Sequence, residues 1–178
     1  QVIGVPHGQI GFLETVEAAK RTDHYNTPLE GPNRGRGVAA GYWLNATGPA
    51  SAVATVNGDG TVNLVEGSPD IGGTRATAAM QFAEALGIAA EDVRPSVGDT
   101  ESVGYTTVTG GSSVTFKTGL ACYEAAQEVK KQMINRAAKI WETSPDDLTL
   151  ADGIFSHKSD PELRMTFKEL AGKLIHTG

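Results

Sequence analysis

The sequence has one cysteine in 178 residues, few aromatics and no surplus of positive charge. Cys122 alone cannot close an internal disulfide, which removes the secreted disulfide scaffolds from consideration. The four histidines, His7, His24, His157 and His176, are scattered without ligand spacing, so no zinc site is indicated and no metal ligand is assigned. No apolar run approaches the ~20 residues a membrane-spanning helix needs. Lys and Arg number 15 against 21 Asp and Glu, a formal net charge of −6. Nucleic-acid binding as a main task needs a basic face to displace counterions, and this balance argues against it. No signal peptide is expected from the first residues, Gln1 is not an initiator methionine, and the end at Ile175–Gly178 looks cut. The chain reads as an excised piece or mature fragment, expected in the cytoplasm.

Glycine is what the sequence has in excess. It contributes 22 residues, about 12% against a usual share of about 7%, and sixteen fall between Gly31 and Gly119. They follow no three-residue period, so the chain is not collagen-like, and 20% charge with many aliphatics is not a disordered composition. The length suits one domain with a substantial core.

Periodicity gives the organisation. Phe12, Val16 and Ala19 share one helical face, and residues 24–36 form a polar connection. This divides the chain into an N-terminal helix and linker, 1–34, and a main domain, 35–178. Residues 36–45 and 51–65 read as strands, the latter a hairpin turning at Asn57-Gly58-Asp59-Gly60. An alanine-rich helix after Arg75 runs to Leu86 and is capped by Gly87. A strand follows at Val93–Val97, and then a long helix with the stripe Ala121, Ala125, Val129, Met133, Ala137 and Ile140. Leu148–Leu150 and Ile154–Ser156 make a second hairpin, and Thr166-Phe167-Lys168-Glu169 is a capping box. The sum is an α+β domain with mixed sheets and β-hairpins packed on helices.

Two segments repeat one design of strand, glycine pair with small hydroxyls, and helix start: Asp70-Ile71-Gly72-Gly73-Thr74-Arg75 and Thr107-Val108-Thr109-Gly110-Gly111-Ser112-Ser113-Val114. Glycine lets the backbone approach a ligand, and a helix start offers unpaired N–H groups with partial positive charge. Such loops suit phosphate or pyrophosphate oxygens. They serve equally as tight turns with Thr74 and Ser112 as helix caps. Gly111 to Thr118 keeps P-loop spacing, with Lys117 in the lysine position, but Phe116 replaces the second glycine; an NTPase is the weaker alternative. Catalytic side chains are scarce. Cys122 reads as a packed residue and Glu91-Asp92 and Asp146-Asp147 as capping or solvated pairs. Asp99 with Thr100, placed between the second strand and the second glycine loop, is a site candidate or, as the favoured reading, an Asx-type turn.

In order and spacing these segments resemble the molybdopterin-binding subunit of the xanthine dehydrogenase, aldehyde oxidoreductase and carbon monoxide dehydrogenase family. The resemblance rests on Gly35-Arg-Gly37-Val-Ala, Asp59-Gly60-Thr61-Val62, Asp70-Ile71-Gly72-Gly73, Gln81, Ala83–Ile88, Asp99-Thr100, Gly110-Gly111-Ser112 and Gly119-Leu-Ala. It implies a molybdenum-cofactor-binding fold in an enzyme that hydroxylates aldehydes or N-heterocycles with water as oxygen source. It further implies Gly72, Gly73, Thr74 and Arg75 against the pterin, with Gly111, Ser112, Ser113 and Val114 around the dithiolene and phosphate. The cofactor would be molybdenum-molybdopterin, in bacterial members often the cytosine dinucleotide. Implied partners are the rest of the molybdenum subunit and the iron–sulfur and flavin (FAD) subunits or domains. Many members carry glutamine where this chain has Gly73, and arginine where it has Ser113. The family's catalytic glutamate lies in a downstream motif that does not occur here, so no catalytic residue is assigned and the isolated chain is expected to be inactive. The alternative is a metal-free anion-binding or scaffolding domain.

Overall fold

The structure is a computed structural model that describes residue 8 and residues 10–41, 43 and 45–176. It separates into two compact units, Gln1–Tyr42 and Trp43–Gly178.

In the first unit, helix α1 (Phe12–Lys20) starts at Gly11, whose carbonyl accepts from Thr15 N and Thr15 Oγ1. Its Phe12, Val16 and Ala19 face is not buried; Phe12 is 49% exposed. A single turn, α2 (Asp23–Asn26), lies inside the segment read as a linker and is capped by Thr22 Oγ1, which accepts from Tyr25 N. Four residues are too few for helical periodicity to register. The strand expected over 36–45 is not found: residues 36–41, 43 and 45 belong to no strand, while Tyr42 and Leu44 lie outside the described residues. Arg36 instead donates to the carbonyls of Tyr25 and Thr27, folding this stretch back on α2. Two glycines, Gly37 and Gly41, further weaken its strand character.

Among the described residues the second unit holds two three-stranded sheets, three α-helices and three short 3-10 turns. The first sheet has the order β1 (Ala52–Val56), β2 (Val62–Glu66), β3 (Val93–Val97), antiparallel then parallel, so it is mixed as expected. The hairpin turn is closed by Asp59, whose Oδ1 accepts from Thr61 N and Oγ1, and these bonds hold its carboxyl below the usual range. Helix α3 (Thr74–Leu86) makes the crossover from β2 to β3 and ends at left-handed Gly87 (φ 69°), as read. Helix α4 (Val114–Trp141) packs on α3 and β1. The second sheet is antiparallel, β4 (Leu148–Ala151), β5 (Ile154–His157) and β6 (Arg164–Thr166), and leads through the expected capping box into α5 (Phe167–Lys173). At three residues β6 escapes a pattern reading.

Both sheets share one core. Val62 and Leu64 from β2, Phe82 and Leu86 from α3, and Phe155, Phe167 and Leu170 from the second sheet and α5 are fully or almost fully buried. On α4 the buried positions are Val114, Lys117, Thr118, Gly119, Cys122, Ala126, Met133, Ala137 and Ala138. The predicted stripe is therefore rotated near its start: Ala121, Ala125 and Val129 lie at the edge of the core, because α4 must face α3 and β1 at once.

Candidate cofactor site

Helices α3 and α4 are parallel neighbours. Gln81 lies against Gly119. Residues 47–52 flank Lys117–Ala125 and β1 continues beside Ala125–Arg136, so α4 runs parallel to β1 and antiparallel to β2. Helix α3, the crossover between the parallel β2 and β3, also runs back against β2. The two starts, each preceded by a glycine pair, therefore sit at one end of the helix pair. Each start presents about +0.5 elementary charge, and the parallel arrangement places both charges on the same side.

The two starts share a backbone device. Gly72 and Gly73 are both left-handed, φ 61° and 84°, immediately before α3. Before α4 the left-handed pair is Gly111 and Ser112, φ 66° and 55°, one position later than the glycine doublet suggests. Serine there carries a cost of about 1–2 kcal/mol, a strain that folding tolerates most readily where the backbone has a task. Gly111 is fixed for a second reason: a Cβ would lie 2.9 Å from Ala46 N, the amide that donates to the Gly111 carbonyl.

The caps differ from the sequence reading. Thr74 and Ser112 do not cap their helices; the capping positions are Gly73 and Ser113, neither with a side-chain cap bond. Thr74 Oγ1 accepts from Ile71 N, and Asp70 Oδ1 accepts from Arg75 N at 3.1 Å. The Arg75 guanidinium lies 3.6 Å from Asp70 Oδ2, half exposed. Ser113 Oγ donates to the Gly110 carbonyl, and the Val114 side chain is buried. So Ser113 and Val114 offer their amides, whereas Ser112 is exposed and offers both amide and hydroxyl.

The donor set is chemically one-sided. Among the described residues, nothing accepts from the amides of Gly72, Gly73 and Ala76 in the first loop. The same holds for Ser112, Ser113, Val114, Thr115 and Phe116 in the second. Added Cβ atoms at Gly72, Gly73 or Gly110 would meet nothing within 4 Å, so the backbone at these glycines is uncovered. Unpaired amides at two helix starts fit a polyanionic, oxygen-rich group.

Several residues that hold this arrangement were not legible. Lys117 is 4% exposed, and its Nζ donates to Thr107 O, Thr107 Oγ1 and Val108 O at 2.7–2.8 Å. All three of its protons are engaged by the loop, which removes the P-loop lysine role. Ser68 Oγ and Thr118 Oγ1 are 2.7 Å apart, tying the approach to the first loop to α4. Beside them, buried Glu66 accepts from Ser68 N at 2.6 Å; burial raises its carboxyl pKa, with Asp70 adding to the rise. Burial, with Glu66 nearby, lifts the Cys122 thiol to about 12, that of an inert packed group. Asp99 is the expected Asx-type turn, accepting from Ser102 Oγ, Glu101 N and Ser102 N, which lower its pKa. Among the described residues, no cluster of three or more His, Cys, Asp or Glu could hold a metal ion, and no helix is long and apolar enough to cross a membrane.

Against known proteins, the model of the molybdopterin cofactor-binding domain matches residues 12–178. The chain belongs to this family. Its domain is of the kind found in molybdenum hydroxylases, as the resemblance implied. The chain is 25% identical to the nicotine 6-hydroxylase large subunit of Paenarthrobacter nicotinovorans, over 94% of its own length and 23% of that protein. It is 32% identical to a putative xanthine dehydrogenase molybdenum-binding subunit of Escherichia coli K12, over 78% of its length and 19% of that subunit. The structure of a Cu,Mo-CO dehydrogenase in its carbon monoxide reduced state superposes with a TM-score of 0.65 at 32% identity, covering 70% of this chain and 16% of that one. The chain thus spans about a fifth of the curated relatives it matches. The α+β, molybdenum-cofactor-binding-domain-like fold is borne out.

Proposed function

We propose that this domain forms part of the molybdenum-cofactor cradle in an oxidoreductase that hydroxylates an aldehyde or N-heterocycle with water as oxygen source. The observation that carries the reading is the pair of parallel helix starts, each opened by two left-handed residues and fronted by unpaired amides. Gly72 and Gly73 would hold the pterin side with their amides, steadied by Thr74 and by Arg75 on Asp70. Gly111 shapes the second loop, and the amides of Ser112, Ser113 and Val114 would receive the phosphate, with the Ser112 hydroxyl as an added donor. When bound, the cofactor supplies the two-electron redox chemistry. These residues bind and orient it. The unpaired amides suit phosphate oxygens, consistent with the cytosine dinucleotide form, with Ser113 supplying no arginine charge to pair with them. Iron–sulfur and flavin centres would lie on other subunits or domains, in a cytoplasmic enzyme.

The test is to purify the natural full-length polypeptide and measure molybdenum and cytidine nucleotide. The expected result is both in stoichiometric amount, with loss of both in Gly111→Val, and no aldehyde or heterocycle oxidation by the 178-residue chain alone. Folded full-length protein without molybdenum would instead establish the scaffolding alternative.

A further inference from the structure

A second feature lies away from the two loops. Strand β1 is the edge of its sheet, with β2 on one side and no described strand on the other. Along its free side runs a groove of about 640 Å³, walled by Ala52, Ala54 and Val56 of β1, by Val129 and Met133 of α4, and by Leu174. It continues through Ala52 and Ala125 into a second space of about 460 Å³ beside residues 47–51. Alternate N–H and C=O groups of an edge strand point away from their only neighbour, and a long uncovered edge is normally paired or blocked. Here neither proline nor lysine guards β1.

Arg136 supplies an independent sign that something is to be received. It lines the groove, and its Nη1 is buried with no hydrogen-bond partner among the described residues. A guanidinium nitrogen removed from water and left unpaired is costly, and the partner that best answers its planar fork is a carboxylate.

We propose that an extended segment of the same polypeptide, lying outside these 178 residues, adds to β1 as a further strand and sets an Asp or Glu carboxylate on Arg136. The groove has the right chemistry for it: backbone partners along β1, an apolar floor of Val129 and Met133 for alternate side chains, and Arg136 as its unpaired cation, since the Glu128 carboxylate on the same wall is already engaged by Gln132 and Lys131. Relatives offer ample chain for this, since the matched region is 19–23% of their length. The inference concerns assembly of the subunit and does not depend on the cofactor reading.

The experiment places a photo-crosslinking amino acid at Val53, which is 46% exposed on β1, in the natural full-length polypeptide. Mass spectrometry is expected to find one contiguous acceptor segment in the same chain, beyond residues 1–178, containing an acidic residue. Arg136→Glu should lower that crosslink about tenfold, Arg136→Lys should largely retain it, and reversing the partner's charge should restore it in Arg136→Glu. In the isolated 178-residue chain Arg136→Gln should leave the melting temperature unchanged or higher, because no internal partner is lost. Crosslinks to a second copy, to a different protein or to nothing would overturn the proposal. So would destabilisation of the isolated chain by Arg136→Gln.

Discussion

Replacing Lys117 with methionine tests how the second loop is held. Methionine keeps most of the apolar stem and removes the three donors. In the native chain Nζ is bonded at 2.8, 2.7 and 2.8 Å to Thr107 O, Thr107 Oγ1 and Val108 O. A hydrogen bond to a charged group contributes about 1.5–3 kcal/mol net, so simple addition would give well over 4 kcal/mol. Two effects reduce this. The variant no longer buries a charge, and Val108, 84% exposed, can turn its freed carbonyl to water. Leaving the Thr107 groups short of a partner is then the main cost, and the expected loss is about 2–3 kcal/mol. For a chain of this size that lowers the melting temperature by roughly 5–10 °C. Urea unfolding followed by far-UV circular dichroism measures it directly. Lys117→Arg should lose less, since its guanidinium can still donate to part of the same set. A loss below about 0.5 kcal/mol in Lys117→Met, the scale of an ordinary surface change, would refute the clamp. Nucleotide affinity that depends on Lys117 would refute it from the other side.

Gly87→Ala should destabilise by at least about 2 kcal/mol in the same assay, since it combines a left-handed residue with a steric conflict. Its Cβ would lie 2.5 Å from Gly153 N, and that backbone has no easy way to move. For Glu66, the folded pKa is raised, so the neutral form is favoured and its stability contribution is lost as pH rises from about 4.5 through the folded value. Glu66→Gln should therefore flatten the decline of stability as pH rises above about 4.5, measured by denaturant titration; an unchanged slope would contradict a buried carboxylate. Cys122, with its thiol pushed to about 12, should resist iodoacetamide at pH 8 in the folded chain and react on unfolding; prompt native-state labelling would argue against its burial.

How much of this was legible follows from what each residue contacts. The hairpin turn, the glycine cap of α3 and the capping box depend on neighbours in sequence, so Asn57–Gly60, Gly87 and Thr166–Glu169 could be read directly, whereas Thr74 and Ser112 are not the caps expected. The face of α4 could be read only approximately, because α3 and β1 together select it. Arg36–Asn45 failed as a strand because strand character depends on a pairing partner, and Arg36 finds α2 instead. The glycine loops were found at the right places, but the left-handed pair at Gly111 and Ser112 was one residue off. That offset is set by Ala46, some 65 positions away in the sequence. Lys117 and the Ser68–Thr118 bond were invisible for the same reason: nothing in local spacing says that a helix lysine will be buried beneath the loop that precedes it.

The two helix starts are alike in backbone and unlike in satisfaction, and this divides their roles. At α3 the protein supplies its own anion: the Asp70 carboxylate takes the Arg75 amide and lies 3.6 Å from the Arg75 side chain. Part of the positive potential there is already neutralised, leaving the Gly72 and Gly73 amides as polar, nearly uncharged donors. At α4 no described carboxylate is bonded to the first turn, and the five amides from Ser112 to Phe116 keep their full field. Nor can the buried Lys117 charge lend itself outward, since three acceptors enclose it. A neutral, hydrogen-bonding ring system is therefore best matched to the first loop and a phosphate to the second. This preference agrees with the placement proposed from the family resemblance, pterin toward Gly72–Gly73 and phosphate toward Ser112–Val114.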